Sequence, residues 1–316
     1  LTIGSMFLSR GYKKFKHLKP GRYKVYKQNH LKSRHLLQLQ SAMEYLMTYG
    51  WAILVIAVVL GALYSLGIFN SINFAPRAQP GACQVSRPNG PGTIQILSLT
   101  GECNELPEYV GQFAGNGEVM ATTNQVNMSQ GGYNTVTFWM YWNNVTNEIP
   151  FSFTSYSLWI ASPTCFGFSS GGGDAYGISP AGLSNHWIFV AAEFYNGPYT
   201  GNSILYIDGV QQSLSQCSGT ASSGAASPTV YIAGKAGTNY FTGMIADVQL
   251  YNVSLSQQEV QALYNYGIGG APVYLQKLAG WWPLNGNAND YSGNENQGAA
   301  SGVSYAGNWQ ASYTKT

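Results

Sequence analysis

Between Tyr45 and Phe69 the chain reads YLMTYGWAILVIAVVLGALYSLGIF, twenty-five residues without a charge. A helix rising about 1.5 Å per residue crosses a bilayer with roughly 20 apolar residues. This run is long enough, and it is apolar around its whole circumference, which a helix on the surface of a globular domain is not. The pattern predicts a hydrophobic helix over 40–70. Beyond Asn70 the periodicity changes. Residues 71–82 contain Pro76 and Pro80 and read as a hinge. From Cys83 to the end, residues 83–316, short β-branched and aromatic runs alternate with Gly, Asn, Ser and Pro. Predicted strands are Thr93–Leu99, Thr135–Trp142, Phe151–Ile160, Trp187–Phe194, Ser203–Ile207, Thr229–Ala233 and Met244–Tyr251. This spacing is that of an antiparallel β-sandwich. Asp208-Gly209 supplies the positive φ of a tight hairpin turn. Ser256 and Glu259 form a capping-box pattern that opens one helix, closed by Gly267. The fold class is therefore α+β, a long N-terminal helix followed by a sandwich.

The 316 residues are 45% apolar, 14% aromatic and only 9% charged, which excludes a charge-rich disordered chain. The net charge of +2 hides an asymmetry. Ten of the fifteen basic residues lie within residues 1–39, a stretch with no acid, while the remainder stands at −8. The basic leader would hold the N-terminal end of the helix in the cytoplasm. The acidic body offers nothing to neutralise phosphates, so nucleic acid is not an expected partner.

The residues that join leader and helix are Gln40-Ser41-Ala42-Met43-Glu44-Tyr45. A lone carboxylate at the head of an apolar span calls for a specific partner. The segment resembles the class III signal sequence of archaeal type IV pilin-like proteins. The resemblance implies cleavage by a prepilin peptidase between Leu39 and Gln40, before the helix, which is then retained. It implies that Glu44, the fifth mature residue, neutralises the N-terminal amine of an identical subunit in a filament. Gln38-Leu39 departs from the usual basic residue and Gly, and Ala42 stands where Ser is common.

In the body, Thr135–Trp142, His186–Val190, Leu205–Gly209 and Phe241–Tyr251, followed by the Ser256 helix, resemble a laminin G-like, concanavalin A-like lectin/glucanase domain. Ala279–Asn294 resembles the opening strand and loop of such a domain but lies at the C-terminal end. A circularly permuted jelly-roll sandwich is the expectation. Trp139, Trp159, Trp187 and Trp281 sit inside apolar runs and are expected in its core.

Cys83, Cys103, Cys165 and Cys217 all follow the helix, as disulfide cysteines of an exported domain would. Three pairings are possible. Cys83–Cys103 with Cys165–Cys217 is favoured because the first brackets one predicted strand pair. Asn127, Asn144 and Asn252 head N-glycosylation triplets. The loop Asp290–Asn294 is rich in oxygen donors. Related sandwiches often bind calcium on such a loop, so Asp290 and Asn294 are candidate calcium ligands, with an Asx-turn as the alternative. Loop tyrosines Tyr176, Tyr195 and Tyr199, near Gly171–Gly173, are the candidate glycan-stacking residues.

A glycosidase needs two carboxylates facing one sugar bond. No Glu-x-Asp or Glu-x-Glu pair falls on a predicted strand, so no enzyme is expected. The sequence thus points to a subunit of a cell-surface, pilus-like filament that displays a lectin-like domain for adhesion and sits in the membrane before assembly. The alternative is a membrane-anchored glycan-binding protein that does not polymerise.

Overall fold

The structure is a computed structural model and describes residues 47, 49–63 and 83–314. Contacts divide the chain into two units, Leu1–Ala75 and Pro76–Thr316. In the first, helix α1 covers residues 49–63, with Trp51 69% and Ile53 65% exposed. At 1.5 Å per residue this stretch is about 22 Å long. Among the described residues no helix is long and apolar enough to cross a membrane. The ends of the expected 40–70 helix, the leader with Leu39, Gln40 and Glu44, and the 71–82 hinge lie outside the described residues.

The second unit is built of strands β1 (Gln84–Ser86), β2 (Ser98–Thr100), β3 (Val110–Thr122), β4 (Tyr133–Trp142), β5 (Glu148–Phe153), β6 (Ser157–Ser162), β7 (Cys165–Ser169), β8 (Ala175–Ile178) and β9 (Trp187–Tyr195). These are followed by β10 (Gly197–Pro198), β11 (Ile204–Ile207), β12 (Val210–Gln211), β13 (Ser215–Ser218), β14 (Ser223–Gly224), β15 (Thr229–Ile232) and β16 (Thr242–Tyr251). Helix α2 (Gln257–Tyr266) then precedes β17 (Leu278–Trp282) and β18 (Ala299–Ala306). All strand pairs among the described residues are antiparallel.

Two layers arise because β3 serves both. Its first half, Gly111–Ala114, pairs with β16, and its second half, Val119–Thr122, pairs with β15. Gly115 (φ 78°) and Gly117 lie between the two halves, and a Cβ on Gly117 would sit 2.2 Å from the Gly302 carbonyl oxygen. The first layer runs β12-β11-β9-β4-β16, with β17 on the far half of β16. The second runs β3-β15-β5-β6-β7-β8-β13, with β18 on the free edge of β3. The C-terminal strands therefore join the middle of the domain.

The strand alternation explains the cores. Val136, Phe138 and Met140 of β4 point between the layers and meet Phe151, Phe153, Leu158 and Phe168. Trp139 of β4 and Trp187, Phe189 and Ala191 of β9 point the other way, into a second cluster with Val260 and Leu263 of α2, Trp281 and Trp309. The first layer is thus buried on both faces. Fully burying side chains of this size contributes about 1.5–3 kcal/mol each. Helix α2 forms as expected. Ser256 Oγ accepts from Glu259 N–H, Glu259 returns to the Ser256 backbone, and Gly267 closes the helix at φ 80°. The Asp208-Gly209 turn is also found, at φ 51° and 74°.

Three expectations are corrected. Thr93–Leu99 is mostly loop, because Ile96 adopts φ 56° and only Ser98–Thr100 forms a strand. Phe151–Ile160 is two strands, turned at Thr154-Ser155. Trp159 is not core: its partners in register put it on the outward face of the second layer, where it is half-buried. Trp139, Trp187 and Trp281 are buried as expected, but in the second cluster rather than between the layers.

Candidate functional site

Both disulfides form as favoured, Cys83–Cys103 and Cys165–Cys217. In the chain-entropy account, closing loops of 20 and 52 residues stabilises by about 3 and 4 kcal/mol. The first ties the β1–β2 ribbon at the start of the domain, and the second ties β7 to the edge strand β13.

The three candidate tyrosines do not share a surface. Tyr199 is fully buried, which corrects the expectation of an exposed loop residue. Its ring lies 5.4 Å from that of Tyr156, and its hydroxyl donates to the Asp174 carboxylate. Asp174 also accepts from Ser170 Oγ at 3.0 Å and from the backbone N–H of Gly172 at 3.1 Å. Tyr199 can be buried because its hydroxyl finds an acceptor inside. It pins the 170–173 glycine-rich loop to the 197–202 turn. Tyr176, on β8, packs half-buried against the main core. Tyr195 ends β9 in the other layer and is half-buried, its ring 5.1 Å from that of Tyr133. The Tyr133 hydroxyl donates to the Asn202 carbonyl at 3.3 Å. Glycines flank this pair: a Cβ on Gly131 would stand 3.7 Å from the Tyr195 hydroxyl, and one on Gly197 would stand 2.9 Å from its ring. A paired aromatic rim at the end of the first layer is therefore the accessible part of the expected site. Tyr133 lies outside the predicted strand Thr135–Trp142, and its pairing with Tyr195 depends on the β4–β9 register.

The candidate calcium ligands are engaged. Asp290 Oδ1 accepts from the backbone N–H groups of Trp281 (2.9 Å) and Ser292 (2.8 Å). Its Oδ2 accepts from Ser292 Oγ and Asn296 N–H, both at 2.9 Å. Asn294 Oδ1 accepts from Gly92 N–H, and its amide donates to the Leu278 and Ala279 carbonyls. Four donors converge on one buried carboxylate, so its lone pairs face N–H and O–H groups rather than a cation. Asp290 and Asn294 do not fit a calcium site; the loop is the Asx-type turn that links β17 to the 291–296 segment.

Two other carboxyls stand out by their surroundings. Burial pushes Asp247 up to about 6, against hydrogen bonds from Trp281 and Gln249 that favour its charged form. Burial likewise pushes Glu193 up to about 7, with Ser254 Oγ donating to it. Both sit in the second cluster's layer, on the face that α2 covers, and neither opens to a cleft. Among the described residues no group of three or more His, Cys, Asp or Glu is placed to hold a metal ion.

Of the glycosylation triplets, Asn144 is exposed in the β4–β5 loop at φ 62°. Asn127 is half-buried, and its Oδ1 accepts from Ser129 N–H. Asn252 is turned inward, its amide donating to the Gln125 carbonyl at 2.9 Å.

Residues 113–261 match the Laminin_G_3 family model, described as the concanavalin A-like lectin/glucanases superfamily. The matched stretch resembles a laminin G-like, lectin-type domain, and strands β17 and β18 lie beyond it. A comparison with curated protein sequences finds no match. Among solved structures the chain is similar to a Bacteroides ovatus protein proposed to bind carbohydrate, at 14% identity and TM-score 0.47, covering 66% of this chain and 63% of that one. It is similar to domains LG4-5 of the mouse laminin α1 chain, at 18% identity and TM-score 0.35, covering 58% and 48%. It is also similar to the binding domain of botulinum neurotoxin serotype D, at 13% identity and TM-score 0.34, covering 59% and 51%. The chain spans less than two thirds of each of these structures. The disulfides and the lectin-type domain fit an extracellular protein.

Proposed function

We propose that the chain is a glycan-binding surface protein, its β-domain carried outward by the N-terminal apolar helix as a subunit of a pilus-like filament. The observation that supports glycan binding is the laminin G-like match over residues 113–261. The filament reading rests on Gln40–Tyr45 ahead of the uncharged run. Binding rather than catalysis is favoured because the two carboxyls with raised pKa, Asp247 and Glu193, lie beneath α2 and bond to structural partners. Because α2 covers the outward face of the first layer, glycans must be met at the rim or on the second layer.

A glycan array probed with the full chain tests the binding. An array on which nothing binds, with or without calcium, removes it. N-terminal sequencing of protein from its native membrane tests processing: a start at Gln40 supports it and an intact leader removes it. Replacement of Glu44 by Gln should leave the β-domain folded and abolish filaments. Electron microscopy of cell surfaces that shows the chain without filaments favours the non-polymerising anchored form.

A further inference from the structure

A sheet edge presents a row of unpaired N–H and C=O groups, and folds shorten or cover their edges to keep other strands off them. Most edges here are managed in that way. β12 is two residues long. β13 is four residues long and tied down by Cys165–Cys217. The free side of β17 is covered by the 290–294 turn. There the Tyr291 N–H donates to the Trp281 carbonyl at 2.7 Å, and the Asn294 amide donates to the Leu278 and Ala279 carbonyls. β18 is different. Among the described residues it pairs with β3 alone, over eight residues that hold no charge and no proline. A bulge at Gly302 (φ 65°) is its one interruption. Val303 and Tyr305 pack against the main core but are only half-buried, and no strand covers them on the far side.

The complementary feature lies in the ribbon tied by Cys83–Cys103. Ile94-Gln95-Ile96-Leu97-Ser98-Leu99 has the composition of a strand, yet only its last two residues are in one. Ile96 is held at φ 56°, where a β-branched residue is an outlier, and it is 74% exposed. Ile94 is 62% exposed. Among the described residues the main chain of 94–97 makes no hydrogen bond. β2 itself is paired on one side only, with β1. A strained, apolar, unpaired segment is costly in a monomer and is relieved when it extends against another edge. Extension puts Ile94 and Ile96 on one face and Gln95 and Leu97 on the other. Laid along β18, the two isoleucines cover Val303 and Tyr305, while Gln95 and Leu97 run beside Ser304 and Ala306. Neither segment carries a charge that opposes the pairing.

We propose that Ile94–Leu99 of one copy adds as a strand to the free edge of β18 in a second copy. The occupant is a second copy because the chain carries both halves of the contact, and the apolar alternation of one half matches the open lip beside the other. Main-chain hydrogen bonds supply the attraction and alternate side chains the register. The two surfaces differ, so the contact is head-to-tail, and such contacts propagate where the rotation does not close a ring. A pairing this short is weak by itself and is strengthened where a second contact holds the copies together. The inference deepens the filament reading and rests on it, assigning to the β-domain a subunit contact besides the one expected at Glu44.

Cysteine cross-linking of the full chain on its native cell surface tests it, with electron microscopy of the same cells. The native cysteines are all in disulfides, so introduced thiols report alone. Gln95→Cys or Leu97→Cys, each combined with Ser304→Cys, should give a ladder of disulfide-linked multimers on non-reducing electrophoresis. Each single variant should give monomer. Ile94→Lys and Ile96→Gly, each added to the double variants, should weaken the ladder at least tenfold. Ile96→Gly also relieves the left-handed strain, so its Tm should be unchanged or higher, which separates a lost contact from a lost fold. Dimers from Ser304→Cys alone mean that β18 pairs with itself, and they overturn the proposal. Wild-type filaments with no ladder from either double variant, or a ladder that neither added substitution weakens, overturn it while the filament reading stands. Wild-type cells without filaments overturn both.

Discussion

The indole N–H of Trp281 donates to Asp247 Oδ1 at 2.7 Å, inside the cluster that α2 covers. The backbone N–H of the same tryptophan donates to Asp290, so one residue of β17 anchors two buried carboxylates on different elements. Asp247 is a bulge residue of β16 at φ 53°, and its carboxylate also accepts from the Gln249 amide at 3.2 and 3.3 Å and from the Gly269 backbone N–H. Gln249 in turn donates to the Gly270 carbonyl and accepts from the Tyr251 hydroxyl. Strand β17 is therefore fixed to the domain by polar contacts as well as by pairing. Trp281→Phe keeps the apolar burial and removes one donor from a buried carboxylate. The expected loss is about 2 kcal/mol, read as a fall in Tm of about 4–8 °C by calorimetry. No change in Tm would mean that water replaces the indole.

Asp247 and Glu193 set a pH dependence whose sign is unusual for carboxylates. Burial, the largest cause in each, raises Asp247 from 3.8 to about 6 and Glu193 from 4.5 to about 7. Between these values the folded chain holds protons that the unfolded chain has released. Stability therefore falls as pH rises through the window from about 4 to about 7, and increases on acidification through it. Thermal unfolding should show a higher Tm at about pH 5 than at about pH 7.5. The double variant Asp247→Asn, Glu193→Gln should flatten the profile. A wild-type Tm that drops steadily from pH 7.5 to pH 5 would refute the assignment.

The elements legible in the sequence are those with a local cause. The capping box of Ser256 and Glu259, the Asp208-Gly209 turn and the apolar strands Thr135–Trp142 and Trp187–Phe194 all carry their signals within a few residues. The 13-residue strand β3 does not. Its sequence VGQFAGNGEVMAT contains three glycines, and it is a strand because β16, β15 and β18 pair with it from distant positions. The same limit applies to the site. Tyr199 and Trp159 each sit among residues that suit the opposite environment. The acceptor on Asp174 draws the tyrosine inside. The outward parity of β6 leaves the tryptophan at the surface. Both are consequences of register and long-range contact.

The Asp290 carboxylate is bonded to structural donors, and its replacement tests that role. Asp290→Ala would leave three backbone N–H groups, those of Trp281, Ser292 and Asn296, without their acceptor in a buried turn. At about 1–3 kcal/mol for each unsatisfied group, a loss of roughly 3 kcal/mol is expected, enough to shift Tm by about 10 °C. Calcium or a chelator added to the wild type should move Tm by less than about 1 °C, because the carboxylate faces donors. A calcium-dependent rise of several degrees in the wild type, absent in Asp290→Ala, would establish the metal site instead.

The three glycosylation triplets separate by the state of the asparagine amide. Asn144 stands exposed in the left-handed region on the β4–β5 loop, with its side chain open to an enzyme. The Asn252 amide is bound to the Gln125 carbonyl at 2.9 Å, and its Oδ1 is buried without a partner. A glycan there would break that bond and force a bulky polar group between the 252–254 segment and the loop after β3. Asn127 is held in a turn by Ser129 N–H and lies against Gly132, whose Cβ position is 2.6 Å from the Asn127 amide nitrogen. Peptide mapping by mass spectrometry of protein from its native cell surface should find the modification at Asn144, with Asn127 and Asn252 unmodified. Asn144→Gln should remove the glycan and leave Tm within about 1 °C, since the side chain makes no hydrogen bond to a described residue. Occupancy at Asn252 in folded protein would show that the contact joining residues 125 and 252 does not form.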